Sequence, residues 1–331
     1  MRSGTDELPN NILASPESGA VDVLIAAWNR ADTIGRAVSS ALAQPDVQNV
    51  IVVDDGSTDD TAARAADAGA GTGRVTLLQL QSNSGPSAAR NCGIAFSKSP
   101  WIAILDGDDY LLPGRIEKML SVADGWDLIA DDILVEHRLP GSDAQLRPMM
   151  FESQFEPFQL SFAEFVLGNS GRRGHSRKEL GYFKPLIRRS FLDRFALRYD
   201  ESMRLGEDYA LYANALALGA RCLVMPASGY VSVVRPDSLS AQHSRRDLER
   251  LRDTDLRLRE LSTLSPRDRR ALRTHYRSVD ARVQWAKVVE AFRAQSPVRF
   301  LLPFGRSFPV TAFLLQKLAI EASNKFMRSL R

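Results

Sequence analysis

Cysteine is scarce: the 331 residues include only two, Cys92 and Cys222. Two thiols build neither a disulfide framework nor a cysteine-rich zinc site, and they suit a reducing cytoplasm. Long apolar runs are absent too. None reaches the roughly 20 residues that an ordinary membrane-spanning helix needs. The first residues are polar (Asp6, Glu7, Asn10, Asn11) and lack the basic-then-apolar layout of a signal peptide. With Pro9 and Pro16 among them, residues 1–20 read as a flexible leader. There is no internal repeat, and low complexity is confined to the Ala/Gly stretch at 62–73. What is present is ordinary globular material. Hydrophobic residues make up 44% and charged ones 25%, which excludes a disordered or fibrous chain. At about 150 residues per domain the length suits two domains or one large one, with a core that needs no staples.

The net charge of +3 conceals an asymmetry. Residues 1–240 carry −8 and residues 241–331 carry +11, so the two parts face different partners or surfaces. Before motifs are weighed, a basic tail fits an anionic surface or an ordinary solvated helical face equally well.

Short apolar runs alternate with helical patterns through the first third. Val21–Ala27 reads as a strand buried on both faces, followed by a helix over Thr33–Ala43 capped by Asp32. Asn49–Val53 is a second strand, leading to an Ala-rich helix through Ala68 capped by Ser57 or Thr58. Val75–Leu80, a helix over Ser87–Ser97 and the strand Trp101–Leu105 complete the series. This alternation predicts an α/β sheet with mostly parallel strands, whose ligands bind at the carboxyl ends of the strands. After residue 130 the pattern loosens. Gly168–Leu180 reads as a glycine-rich basic loop, Gly206–Leu218 as a helix, and Arg221–Met225 and Tyr230–Val234 as strands. Beyond Ser240 the chain is helical, with an apolar stripe (Leu248, Leu251, Leu258, Leu261) interrupted by Asp255 and a new helix starting at Ser265-Pro266.

Four clusters carry chemistry. Asp106-Gly107-Asp108-Asp109 ends the fourth strand and offers hard oxygen donors to one Mg²⁺ or Mn²⁺, though Asp and Gly are also plain turn formers. Asp54-Asp55-Gly56-Ser57 ends the second strand; capping explains Ser57 but not two consecutive acids. In a parallel sheet these clusters share one edge, where carboxylates repel unless a cation intervenes. Asn83 to Gly93 (NSGPSAARNCG) holds Arg90 as a buried cation beside that edge, in the simplest case an ion-pair partner for one of the acids. Gly206-Glu207-Asp208 opens an apolar helix, where acids favour the dipole and where a carboxylate also makes a rigidly held general base.

Taken in order, Ala26-Ala27-Trp28-Asn29, DDGSTD, NSGPSAARNCG, LDGDD followed by Pro113, and GED resemble a family-2 glycosyltransferase over about residues 21–240. The spacings, 52 residues from Asp54 to Asp106 and 100 from Asp108 to Asp208, are similar to the family's. The resemblance implies a GT-A fold: a Rossmann-like three-layer α/β/α architecture with a mostly parallel sheet. Residues 21–130 would then bind the nucleotide sugar, 131–240 the acceptor, and 241–331 would form a basic helical extension. It implies a nucleotide diphospho-sugar donor, most often a uridine one, and a divalent cation. Ala27, Trp28, Asn29, Asp54, Asp55 and Arg90 would meet the nucleotide, Asp106 the ribose, Asp108 the metal, and Asp208 the acceptor proton, with inversion at the anomeric carbon. Glu207, Arg235, Ser238 and Ser240 would lie near the diphosphate or acceptor. Ala26 and Trp28 stand where the family usually has Pro and Tyr, and the Gln-x-x-Arg-Trp signature of processive members is missing, which implies one sugar per encounter.

Two further features bear on partners. Arg172, Arg173, His175, Arg177 and Lys178 suit either a loop that closes on a diphosphate or a solvated loop. Residues 291–331 carry seven basic and one acidic side chain among many Phe and Leu, which suits a segment lying on anionic lipid; no nucleic-acid module is recognisable. The run from Ala27 to Pro45, PWIAILDGDD and Ala130–Ile133 are similar to bacterial exopolysaccharide glucosyltransferases of the succinoglycan type. That similarity implies glucose from UDP-glucose, a lipid-linked oligosaccharide acceptor, and a peripheral place on the cytoplasmic face of the inner membrane. The competing reading is a non-catalytic nucleotide-sugar-binding scaffold of a polysaccharide complex.

Overall fold

The computed structural model describes residues 19–137, 145–151, 155–171, 178–234 and 244–329. Its first half is a run of strand–helix units. β1 (Val21–Ala27), β2 (Val47–Asp54), β3 (Val75–Gln79) and β4 (Trp101–Asp106) are linked by α1 (Ile34–Leu42), α2 (Thr61–Gly69) and α3 (Pro86–Phe96). The four strands are parallel and ordered β3-β2-β1-β4. β1 lies between two neighbours with six of its seven residues fully buried, which is why it reads as continuous apolar sequence rather than an alternation. The chain walks outward from β1 to β3 and then returns through α3 to the other side of β1. The crevice between the carboxyl ends of β1 and β4 is therefore the point where the winding reverses, the place where open α/β sheets bind ligands.

Register sets what lies there. Ala27 pairs with Asp54 and Ala26 with Asp106, so both acidic clusters end at one edge, as the sequence predicts. Two predicted caps are corrected. The N-cap of α1 is Thr33 rather than Asp32, and that of α2 is Asp60 rather than Ser57 or Thr58, neither with a side-chain cap bond. The reason for the second is visible: Ser57 and Thr58 are engaged across the edge with Asn29.

The second half adds short strands. In chain order come β5 (Tyr110–Leu111), α4 (Arg115–Leu120), β6 (Leu128–Asp131), β7 (Leu134–His137), β8 (Gln145–Pro148), β9 (Phe158–Gln159) and α5 (Phe162–Gly168). They are followed by β10 (Leu186–Arg188), α6 (Arg189–Arg194), α7 (Glu207–Ala217), β11 (Cys222–Met225) and β12 (Tyr230–Val233). β10 joins β4 antiparallel and carries the main sheet on through β6 and β11 to β9, while β5, β12, β7 and β8 make a smaller sheet.

The C-terminal region is helical, as expected. α8 (Arg245–Arg259) and α9 (Pro266–Arg293) each open on a capping box, Ser244 with Asp247 and Ser265 with Asp268. Leu251, Leu258 and Leu272 join the main core beneath α5 and α7. The far half of α9 with α10 (Pro297–Leu301) and α11 (Phe308–Ser329) forms a small core of its own around Val288 and Leu314. Among the described residues no helix is long and apolar enough to cross a membrane.

Candidate active site

The crevice is built from the ends of β1, β2 and β4; two glycines let backbones meet there and a third supplies a positive-φ turn. Gly107 passes so close to β1 that a β-carbon would lie 3.3 Å from the Ala26 carbonyl oxygen. Gly56 (φ +68°) lies under the Ser82–Asn83 backbone, and Gly85 (φ +94°) precedes Pro86 at the start of α3.

Several expected nucleotide contacts are also fasteners of this edge. Asn29, at φ +51°, donates its N–H to Ser57 Oγ (2.9 Å), and its Oδ1 accepts from the Thr58 N–H (2.9 Å). The Ala27 carbonyl accepts from the Asp55 N–H at 2.8 Å. Asp54 accepts from the Ser57 N–H at 3.0 Å. Asp55 spreads its two oxygens over the Ser84 and Gly85 N–H groups, each at 2.8 Å, and so fixes the loop that launches α3. Burial lifts the Asp55 carboxyl above its ordinary value, against the two N–H donors and with some help from Asp54. Trp28 stands 41% exposed at the mouth, an apolar surface open to a planar ligand.

The centre is a chain of charges, three of them buried and Asp106 and Glu207 partly exposed. Arg90 donates to Asp106 (2.8 Å) and Glu207 (3.0 Å) and lies 3.6 Å from Asp208. Lys184 Nζ lies 2.6 Å from Asp208 Oδ2 and 3.2 Å from Asp106 Oδ2. Arg90, Lys184 and Asp208 are all buried. Burial alone would raise the Asp106 carboxyl, yet Lys184 and Arg90 hold it well below the usual carboxylate range. Likewise burial disfavours the Lys184 ammonium, but Asp106 and Asp208 keep its pKa above the ordinary lysine value. Asp109 shows the opposite balance. Burial, then Asp106 and Asp108, push it up to about 7, although it accepts from the Tyr230 hydroxyl (2.8 Å) and the Val233 N–H (2.9 Å).

Asp208 reaches this centre because Gly206 (φ +73°) ends the preceding loop in a left-handed turn and sets Glu207 and Asp208 in the first turn of α7. That helix is buried on nearly every side. Its next residue, Tyr209, donates to the buried Asp255 (2.8 Å), which also meets His275 Nδ1 (2.7 Å), so α8 and α9 brace it.

A divalent cation can be tested against these donors. Asp106 is held by two cations and Asp109 by Tyr230 and Val233, while Asp108 stands at the rim paired with Arg30 Nε at 3.2 Å. Among the described residues no group of three or more His, Cys, Asp or Glu forms a metal cage. One carboxylate in an open crevice fits a Mg²⁺-like ion that takes its remaining ligands from phosphate and water.

The structure thus brings Ala27, Trp28, Asn29, Asp54, Asp55, Arg90, Asp106, Asp108, Glu207 and Asp208 to one edge. Arg235, Ser238 and Ser240 lie outside the described residues, as do Arg172, Arg173, His175 and Arg177 of the basic loop; Lys178 sits 4.4 Å over the Phe151 ring. Lys184, Arg30 and Tyr230 belong to the site although no motif marks them.

Comparison with known proteins agrees with this geometry. The profile described as Glycosyl transferase family 2 matches residues 22–140. Succinoglycan biosynthesis protein ExoU of Rhizobium meliloti is 45% identical over 288 residues, covering 87% of this chain and 81% of that protein. Succinoglycan biosynthesis protein ExoO of the same organism is 42% identical over 66% of this chain and 62% of its own length. UDP-Glc:alpha-D-GlcNAc-diphosphoundecaprenol beta-1,3-glucosyltransferase WfaP of Escherichia coli is 36% identical over 30% of this chain and 39% of its own length. Among solved structures, S. aureus TarS 1-349 in complex with UDP-GlcNAc superposes with a TM-score of 0.60 at 16% identity, over 85% of this chain and 89% of that one. Mannosyltransferase PcManGT from Pyrobaculum calidifontis, in complex with GDP-Man and Mn²⁺, gives 0.56 at 14% identity, over 91% and 79%. The sheet, its acidic edge and these likenesses lead to one conclusion: the chain belongs to the family-2 glycosyltransferases and has the GT-A fold.

Proposed function

We propose that the chain moves one glucosyl unit from UDP-glucose to a hydroxyl of a lipid-linked oligosaccharide in bacterial exopolysaccharide assembly, with inversion at the anomeric carbon. The observation that carries this reading is the charge chain Glu207–Arg90–Asp106–Lys184–Asp208, which ties the strand-end acids of the crevice to the helix bearing the base. The names of ExoU and WfaP support the process and the donor. In this reading Ala27, Trp28, Asn29, Asp54, Asp55 and Arg90 line the nucleotide site, Asp106 meets the ribose, and residues 131–240 receive the acceptor. Asp208 takes the proton from the acceptor hydroxyl while that oxygen bonds to the anomeric carbon. The carbon's bond to the diphosphate breaks in the same step, and the bonding electrons leave with the nucleoside diphosphate. Attack from the opposite face converts an α-linked donor into a β-glycoside without a covalent sugar–enzyme intermediate. Asp108 would hold Mg²⁺ or Mn²⁺, whose chemistry when bound is neutralisation of the leaving diphosphate.

The C-terminal segment is assigned to the anionic cytoplasmic face of the inner membrane, beside a lipid-linked acceptor. In and just after α10, Val298, Leu301 and Leu302 face outward, and Phe292 (73% exposed) and Phe308 (87%) flank them. The exposed Arg293, Arg299 and Arg306 lie between these side chains in sequence, a combination suited to anionic lipid.

The test is a donor screen on the purified full chain, following nucleoside diphosphate release from UDP-glucose, UDP-galactose, UDP-GlcNAc and GDP-mannose, with and without chelator. UDP release from UDP-glucose, suppressed by chelator, is expected. No release from any donor, with lipid-pyrophosphate-linked sugars supplied, would favour the scaffold reading instead.

A further inference from the structure

Lys184 has no place in the residue roles above, yet the crevice holds both its ammonium and its backbone carbonyl. It stands two residues before β10, and β10 runs antiparallel to β4 with Leu186 opposite Ala103. That pairing delivers the amino end of β10 to the carboxyl end of β4, so a lysine here must arrive at the acidic edge. Its backbone is fixed as well as its side chain. The Lys184 carbonyl accepts from Arg115 Nη2 at 2.6 Å, and Arg115 is held in turn by Asp131 at 2.7 Å, both wholly buried. The ammonium then lies 2.6 Å from Oδ2 of Asp208 and 3.2 Å from Oδ2 of Asp106. The other Asp208 oxygen is held more loosely, with Tyr212 Oη at 3.5 Å and Arg90 Nη1 at 3.6 Å.

We propose that Lys184 is the positioning residue of the transfer step: it clamps Oδ2 of Asp208 against the donor-side acid Asp106 and leaves Oδ1 as the oxygen presented to the acceptor hydroxyl. The clamp spans the two halves of the reaction. One of its partners ends β4 on the donor side, and the other opens the helix that carries the base. Arg90 spans the same gap but meets Asp208 only at 3.6 Å, so it cannot replace the lysine at Oδ2. The proposal rests on the transferase reading and adds a residue to it. Lys184 forms and breaks no bond to substrate; it acts through Asp208.

The experiment is a double-mutant cycle on the full chain, using the nucleotide sugar that the wild-type protein turns over. Lys184→Met is expected to lower kcat about 100-fold, the scale of a misplaced catalytic group, with donor KM essentially unchanged. Lys184→Arg, which keeps a cation, recovers part of that loss. The deciding comparison is Lys184→Met in the Asp208→Asn background. If the lysine acts through Asp208, the double variant is no slower than Asp208→Asn alone. A further loss equal to that of Lys184→Met in the wild-type background, or a rise in donor KM that accounts for the whole effect, overturns the proposal and makes Lys184 a general support of the crevice. Should the methionine variant fail to fold, Lys184→Arg enters the same cycle with the same two outcomes. Wild-type protein that turned over no donor would refute the transferase reading itself, a result distinct from an additive cycle.

Discussion

Arg115→Met is the substitution whose consequence follows most directly from the structure. Arg115 and Asp131 pair at 2.7 Å with both side chains at zero exposure, on α4 and at the end of β6. Arg115 also donates to the Lys184 carbonyl, and Asp131 accepts from the Ser228 N–H at 3.0 Å. Removing the guanidinium leaves a buried carboxylate with one N–H donor and frees the chain that carries Lys184. Breaking one side of such a pair costs about 3–5 kcal/mol. Against a total of about 5–15 kcal/mol, that is a large part of the chain's stability. The apolar double variant Arg115→Met/Asp131→Leu removes the stranded charge but orphans the Ser228 N–H, so it regains only part of the loss. Urea unfolding of the wild type and both variants, compared at equal slopes, measures each step. A loss under about 1 kcal/mol for Arg115→Met would refute the reasoning, since a buried charge cannot be abandoned so cheaply.

Other expectations follow from single features. Gly56→Ala forces a β-carbon within 2.7 Å of the Ser82 carbonyl carbon at φ +68°, and should cost about 1–3 kcal/mol in thermal unfolding while weakening UDP binding. Asp109, raised to about 7, binds a proton in the folded chain that the unfolded chain releases nearer pH 4, so it withdraws stability as pH rises between those values. Asp109→Asn should therefore gain on the wild type by at least about 1 kcal/mol on going from pH 5 to pH 8; a constant difference would contradict this. Replacing Leu301, Leu302 and Phe308 with Ser should weaken partition onto vesicles rich in anionic lipid by at least about tenfold, and high salt should weaken the wild type too. Unchanged partition would show that these side chains do not meet the bilayer.

The first half of the chain was legible because its signals are local. β1 runs from Val21 to Ala27 as predicted, and β2 to β4 differ by one or two residues at their ends, since apolar runs closed by Asp-Gly leave little choice of boundary. Both acidic clusters, Arg90 and Asp208 could be named from their positions after strands or at helix starts. The capping residues could not, because Ser57 bonds across the edge to Asn29, a partner 28 positions away. Lys184 was illegible for the same reason: its role comes from three residues of β10 pairing with β4, and a strand so short has no periodicity to read. Asp255 looked like a flaw in the α8 stripe. It is instead a buried acid shared by Tyr209 and His275, which no helical pattern announces. Of the smaller sheet only β12 was legible, as the run Tyr230–Val234; β5, β7 and β8 are two to four residues long and too short to show an alternation.

In the proposed reaction Asp208 takes the acceptor proton in a crevice that other residues build. Asp208→Asn keeps the shape and removes the base. Nucleotide-sugar binding, measured by calorimetry, should stay near the wild-type value while transfer falls by at least about 100-fold. Equal loss of binding and turnover, or turnover that survives the substitution, would contradict the account.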